Sequence, residues 1–179
     1  MKRILLFAIA AMLALGASAV AVQAHAGKVT AQSDQATCPT AAGGDDKGGV
    51  DAPGTAGDDH ENGTSGDDVE NGAAGDDDLA GEAGDDDLCG EAGDDHLSGG
   101  AGDDVENGGA GDDDIAGDRG DDRITGGPGA DVIVAGAGND RIFARDGRRD
   151  RISCGSGDDT VHADRLDRVT ASCEHVSRR

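Results

Sequence analysis

Aspartate returns every ninth residue through the middle of this chain. Asp59, Asp68, Asp77, Asp86, Asp95, Asp104, Asp113, Asp122, Asp131 and Asp140 are ten successive steps, each with a Gly two residues before it, from Gly57 to Gly138. Carboxylates at a fixed interval, beside glycines that let carbonyls bend toward a common point, are suited to holding a hard cation. Ca²⁺ takes roughly six to eight oxygen ligands at flexible geometry, from carboxylates and carbonyls together. Mg²⁺ demands a small octahedron and keeps its waters, and transition metals seek His or Cys. Neither His nor Cys recurs with the period, so the spacing points to several Ca²⁺ ions.

Such carboxylates need a scaffold that repeats with them. From Gly54 to Phe143 ten nine-residue units run without a gap, shown cleanly by Gly108 to Ala116 and by Gly126 to Val134. The first position is Gly in nine units, with Ala135 the exception, and the fourth is Gly in all ten. The leading G-x-x-G-x-D is turn chemistry, because Gly reaches positive φ freely and Asp tolerates tight turns. Helix is excluded by the recurrence of Gly. Only the last three residues of each unit can form a strand, and seven units carry an aliphatic at position eight: Leu79, Leu88, Leu97, Ile115, Ile124, Ile133 and Ile142. Short strands between regular turns predict a parallel coil in which each rung contacts its neighbours.

Two departures bear on that expectation. Position eight is Glu in units one, two and six (Glu61, Glu70, Glu106), and a carboxylate inside a narrow apolar coil is costly unless paired or protonated. A slip of one residue would turn His60, Val69 or Val105 inward at the expense of the turn register. Units three to five and seven to ten are therefore the better supported rungs. The second-position Gly is absent from six units, which is tolerable if that site does not always need positive φ.

Composition agrees with an ion-dependent fold. The chain of 179 residues has 32 Gly, 38 Asp plus Glu, two Phe and no Trp or Tyr. So few large apolar side chains cannot hold it folded without a cation. Residues 27–118 carry 27 acidic and two basic side chains, a balance of −25, whereas residues 119–179 carry 11 of each. The acidic half repels nucleic acid and anionic membranes and attracts cations.

The N-terminus has the layout of a secretory signal peptide over residues 1–26. Lys2 and Arg3 precede an apolar run from Ile4 to Leu15, and small residues offer cleavage after Ala19 or Ala26. The apolar stretch continues to Val22 and approaches spanning length, so an uncleaved anchor is the alternative. Its Ala-rich composition favours cleavage, leaving a secreted, extracellular chain with no stable membrane insertion. Residues 27–53 read as a flexible lead-in with a poor first rung.

The nonapeptides resemble the repeats-in-toxin (RTX, haemolysin-type) calcium-binding repeat, G-G-x-G-x-D-x-U-x with U a large aliphatic. The likeness covers 54–143 and extends more loosely to Cys154–His162, with Asp159 in the aspartate position. It implies an all-β fold, a right-handed parallel β-roll (β-solenoid) in which two nonapeptides make one coil. Calcium would lie between turns one coil apart, with the ten aspartates and Asp159 as side-chain ligands and turn carbonyls completing each shell. Residues 144–179 read as a C-terminal capping region, in which Asp150, Asp159 and Asp167 each precede a short strand-like segment. The ending from Cys154 to Glu174 resembles that of secreted actinobacterial-type calcium-repeat proteins.

Four cysteines leave three connectivities open by spacing alone. Cys154–Cys173, which would lock the cap, is the favoured bridge, and the resemblance also allows Cys38–Cys89. Cys154, His162, Cys173 and His175 match no common zinc module. His60 and His96 occupy outward positions and are expected to be solvated.

No G-x-S-x-G or H-E-x-x-H motif is present, and no stretch is left over for a protease, lipase or toxin domain, so the chain is not expected to be an enzyme. The expected role is structural or adhesive, with an extracellular partner the sequence does not name. The alternatives are a calcium-responsive disordered acidic chain and a non-catalytic accessory of a secreted hydrolase or toxin.

Overall fold

A computed structural model describes Cys38 and residues 51–179. The signal peptide and most of the lead-in lie outside the described residues. Fifteen short strands and no helix make up the described chain. The first four are β1 (Asp51–Pro53), β2 (His60–Asn62), β3 (Val69–Asn71) and β4 (Asp78–Ala80). Next come β5 (Asp87–Ala92), β6 (His96–Ala101), β7 (Val105–Ala110), β8 (Asp114–Arg119) and β9 (Arg123–Thr125). The last six are β10 (Val132–Ala137), β11 (Arg141–Ala144), β12 (Arg151–Ser156), β13 (Thr160–Ala163), β14 (Arg168–Val169) and β15 (His175–Arg178).

Odd-numbered strands form one eight-stranded sheet and even-numbered strands a seven-stranded one, every pairing parallel. The chain therefore crosses to the other sheet at each nonapeptide turn, and two nonapeptides complete one coil. Position eight faces inward throughout. In the even sheet Glu61, Leu79, Leu97, Ile115, Ile133, Ile152 and Val169 stack in register, and in the odd sheet Glu70, Leu88, Glu106, Ile124, Ile142 and Val161 do so. The aliphatics from Leu79 to Val161 are sealed from solvent. Position one lies inside as well, where Ala135, Ala144, Cys154 and Ala163 are buried.

Units one, two and six keep the register they share with their neighbours. Glu70 and Glu106 are turned inward at 1% and 0% exposure, and no one-residue slip occurs. The doubt raised by their sequence is resolved by the solenoid itself: Glu106 is flanked by Leu88 on one side and Ile124 on the other, and a slip would unstack both turns.

Coiling also begins earlier and ends later than the nonapeptide count suggests. β1 pairs with β3, and β12 to β15 continue both sheets through the capping region. The coil step becomes 19 residues at Val132↔Arg151, 17 at Arg151↔Arg168 and 15 at Thr160↔His175. The surplus residue sits in the Asp146 turn, where Asp146 accepts hydrogen bonds from Gly129 N (2.9 Å) and Arg148 N (2.7 Å). Arg145 staples the end by donating to the carbonyls of Ala163 (3.2 Å) and Ser177 (3.0 Å).

Both expected disulfides are present, Cys38–Cys89 and Cys154–Cys173. The first ties the lead-in to the outer face of the odd sheet. The second joins β12 to the cap and leaves no thiolate for a zinc site.

Candidate metal centre

The turns between sheets stack into two columns, one along each edge of the roll. Along one edge the turn before every even strand presents Asp59, Asp77, Asp95, Asp113, Asp131, Asp150 and Asp167. Each backbone N–H in this series donates to the Oδ1 of the next member, from Asp59 N to Asp77 (2.8 Å) through to Asp150 N to Asp167 (3.2 Å). The other edge repeats the pattern through Asp68, Asp86, Asp104, Asp122, Asp140 and Asp159, ending on Glu174. All eleven aspartates picked out by the sequence thus fall into these columns, together with Asp150, Asp167 and Glu174, which broken spacing had hidden.

In ten members of the columns one carboxylate oxygen holds the coils together and the other is left over. Oδ2 of Asp77, Asp86, Asp95, Asp104, Asp113, Asp122, Asp131, Asp140, Asp150 and Asp159 is buried with no hydrogen-bond partner among the described residues. From Asp77 to Asp131 each such oxygen in the nonapeptides faces the Cα of its unit's own first glycine. At Gly117 an added Cβ would stand 2.5 Å from Asp122 Oδ2 and 2.7 Å from Ala135 O, one coil on. Gly81, Gly90 and Gly108 show the same pairing, with the carbonyls of Gly99, Gly108 and Gly126 respectively. A first-position glycine thus lets carboxylate and carbonyl oxygens share one space.

The second position decides whether Oδ2 is free. Ala73, Glu82, Glu91 and Asp118 adopt φ of 70–74°, and the second-position glycines from Gly100 to Gly155 are left-handed too. Positive φ is thus the rule at this site from unit three onward, with or without Gly, which corrects the milder expectation. Units one and two carry Thr instead. Thr55 N and Thr64 N donate to Oδ2 of Asp59 and Asp68, each at 2.6 Å. Those two expected ligands are already satisfied within their own turns.

Electrostatics point the same way. Burial, only partly offset by the accepted backbone N–H and increased by carboxylates one coil away, pushes Asp104, Asp113 and Asp140 up to about 6. The same causes take Asp86, Asp122 and Asp150 to about 7 and Asp131 to about 8. A cation bound among these oxygens would favour their ionised form.

The donors are all oxygens, and among the described residues no three Asp, Glu, His or Cys side chains converge on one point. A full shell must therefore draw on backbone carbonyls, which suits Ca²⁺ and not zinc or copper. The residues present fit that ion. Asp77 through Asp159 would each offer Oδ2, facing the carbonyls bared by the first-position glycines, and Ca²⁺ would supply the positive charge the columns need.

A third feature escaped the sequence reading. Position five is Asp in eight of ten units, and its Oδ1 accepts the N–H of position five one coil later, from Asp76 N to Asp58 (3.2 Å) to Asn139 N to Asp121 (2.8 Å). This exposed ladder runs opposite to the buried one, so each turn is tied to both its neighbours by side chains. The period made it visible, but the family pattern treats position five as free.

Comparison with curated proteins and with solved structures gives no match. The profile of the RTX calcium-binding nonapeptide repeat, four copies long, matches over residues 53–88, 71–106, 85–115, 107–142 and 116–150. These stretches join into 53–150, more than half of the chain, and every open Oδ2 except that of Asp159 lies within them or at their last residue. The chain belongs to the RTX calcium-binding nonapeptide-repeat family, and its repeats form a calcium-binding β-roll.

Proposed function

We propose that this is an exported, disulfide-bonded protein that folds as it takes up several Ca²⁺ ions, and that its role outside the cell is structural or adhesive and not catalytic. The observation that carries the reading is the column of buried Oδ2 atoms without partners, from Asp77 to Asp159. A protein that closed these turns with its own donors would not need an ion; this one leaves them open wherever position two is left-handed.

Export is supported by the signal-like residues 1–26 and by two disulfides, which persist in oxidising compartments. Extracellular calcium then couples location to folding. Each ion bound only by the folded chain shifts the equilibrium by mass action, so the chain stays extended where calcium is scarce.

Far-UV circular dichroism of the oxidised chain, titrated with Ca²⁺ and in parallel with Mg²⁺, tests this. A cooperative rise in β signal with Ca²⁺ alone is expected. A chain that stays unstructured at millimolar Ca²⁺ is the disordered acidic protein instead.

A further inference from the structure

Glu106, like Glu70, stands where the repeat expects an aliphatic. Its side chain is fully buried, and neither Oε1 nor Oε2 has a hydrogen-bond partner among the described residues. A misplaced core carboxylate would be expected to lie among the aliphatics, as far as possible from other acids. This one does the reverse. A Cβ added to Gly99, the first residue of its own unit, would stand 2.6 Å from Glu106 Oε1 and 2.5 Å from Asp104 Oδ2. Both oxygens crowd the one space that elsewhere holds an aspartate oxygen and a carbonyl.

The other interior acids differ. At Gly63 the atoms nearest an added Cβ are Asp68 Oδ2 and Gly81 O, both at 2.5 Å, and no Glu70 oxygen stands nearer than Asp68 Cγ at 3.1 Å. Asp68 Oδ2 is in any case engaged by Thr64 N, whereas Asp104 Oδ2 is open. Only in unit six does an interior glutamate meet an open aspartate oxygen at a bare glycine.

Two buried carboxylate oxygens aimed at one point repel unless a cation or a shared proton stands between them. We propose that Glu106 is a calcium ligand that reaches the Gly99–Asp104 turn from inside the roll, which makes this turn the tightest site of its column. Ligand charge count sets calcium affinity, and this turn offers two carboxylates where its neighbours offer one. The inference rests on the calcium reading of the aspartate columns.

Calorimetric Ca²⁺ titration of the oxidised wild-type chain, Glu106→Leu, Glu106→Gln and Glu70→Leu tests it. Glu106→Leu restores the residue the repeat expects and removes a buried charge, so a merely tolerated glutamate predicts tighter overall calcium binding in this variant. A ligand predicts the opposite. Both Glu106 variants should lose the tightest class of site by on the order of tenfold or more, while Glu70→Leu keeps it. Retention of that site in Glu106→Leu, or in Glu106→Gln, overturns the proposal and leaves a proton or a passive core position as the explanation. If the wild-type chain itself takes up no Ca²⁺, the failure lies with the calcium reading and not with Glu106.

Discussion

The second position of each turn carries a conformational cost that can be measured. Ala73, Glu82 and Glu91 hold left-handed backbone, which costs an L-residue about 1–2 kcal/mol. Gly removes that cost while adding about 0.4–1 kcal/mol of unfolded-chain freedom. Ala73→Gly, Glu82→Gly and Glu91→Gly should therefore each stabilise the calcium-loaded roll by up to about 1 kcal/mol, read as a shift in the urea midpoint at saturating Ca²⁺. Thr64→Gly is a different case, because Thr64 N fills Asp68 Oδ2 in the turn it now adopts. The aspartates could be read from the sequence because their spacing never varies over ten units. Which of them is open could not, because that depends on the φ of a residue four positions earlier. Asp150 was legible as the residue before a strand of the cap, but its place in the column, like that of Glu174, was not, because the coil step around them is 19 and 15 residues, not 18.

At the scale of the turn and strand, fourth-position Gly is fixed by the coil beneath it. Gly93 has φ of 148°, and a Cβ there would fall onto the Gly75 carbonyl one coil back. Strain and collision act together in Gly93→Ala, which should cost at least about 3 kcal/mol. Gly57 has nothing within 4 Å of an added Cβ, so Gly57→Ala should stay within about 0.5 kcal/mol. The calcium concentration needed for half-folding separates the two; equal effects would mean that the coils do not stack as described. The same neighbour-imposed order explains why the Glu-bearing rungs were hard to judge locally. Sequence reasoning weighed the cost of burying Glu70 against a slip of one strand. The turn register was visible there, but the two flanking rungs that a slip would also break, Ala52 and Leu88, were not.

For the whole molecule, the columns link folding to both protons and calcium, and the two links run in opposite directions. Asp86, Asp122, Asp131 and Asp150 titrate at about 7, 7, 8 and 7 when folded without an ion, against about 4 for an ordinary carboxylate. A raised folded value means that the folded chain holds protons the unfolded chain has released. Stability of the ion-free roll is thus fully present below about pH 4 and is lost as pH rises through the interval from 4 to 8. Calcium needs the ionised carboxylate, so its uptake must expel those protons and should tighten over the same interval. The expected result is a calcium midpoint for the β transition that falls steadily from pH 5 to pH 8. Ion-free chain at pH 4, by contrast, should show more β signal than ion-free chain at pH 7.5. A midpoint indifferent to pH would mean that the buried Oδ2 atoms are not where calcium binds, however well the coils stack. A midpoint that moves with pH while Gly93→Ala abolishes the transition would tie the ion, the open oxygens and the stacked turns to one cooperative event.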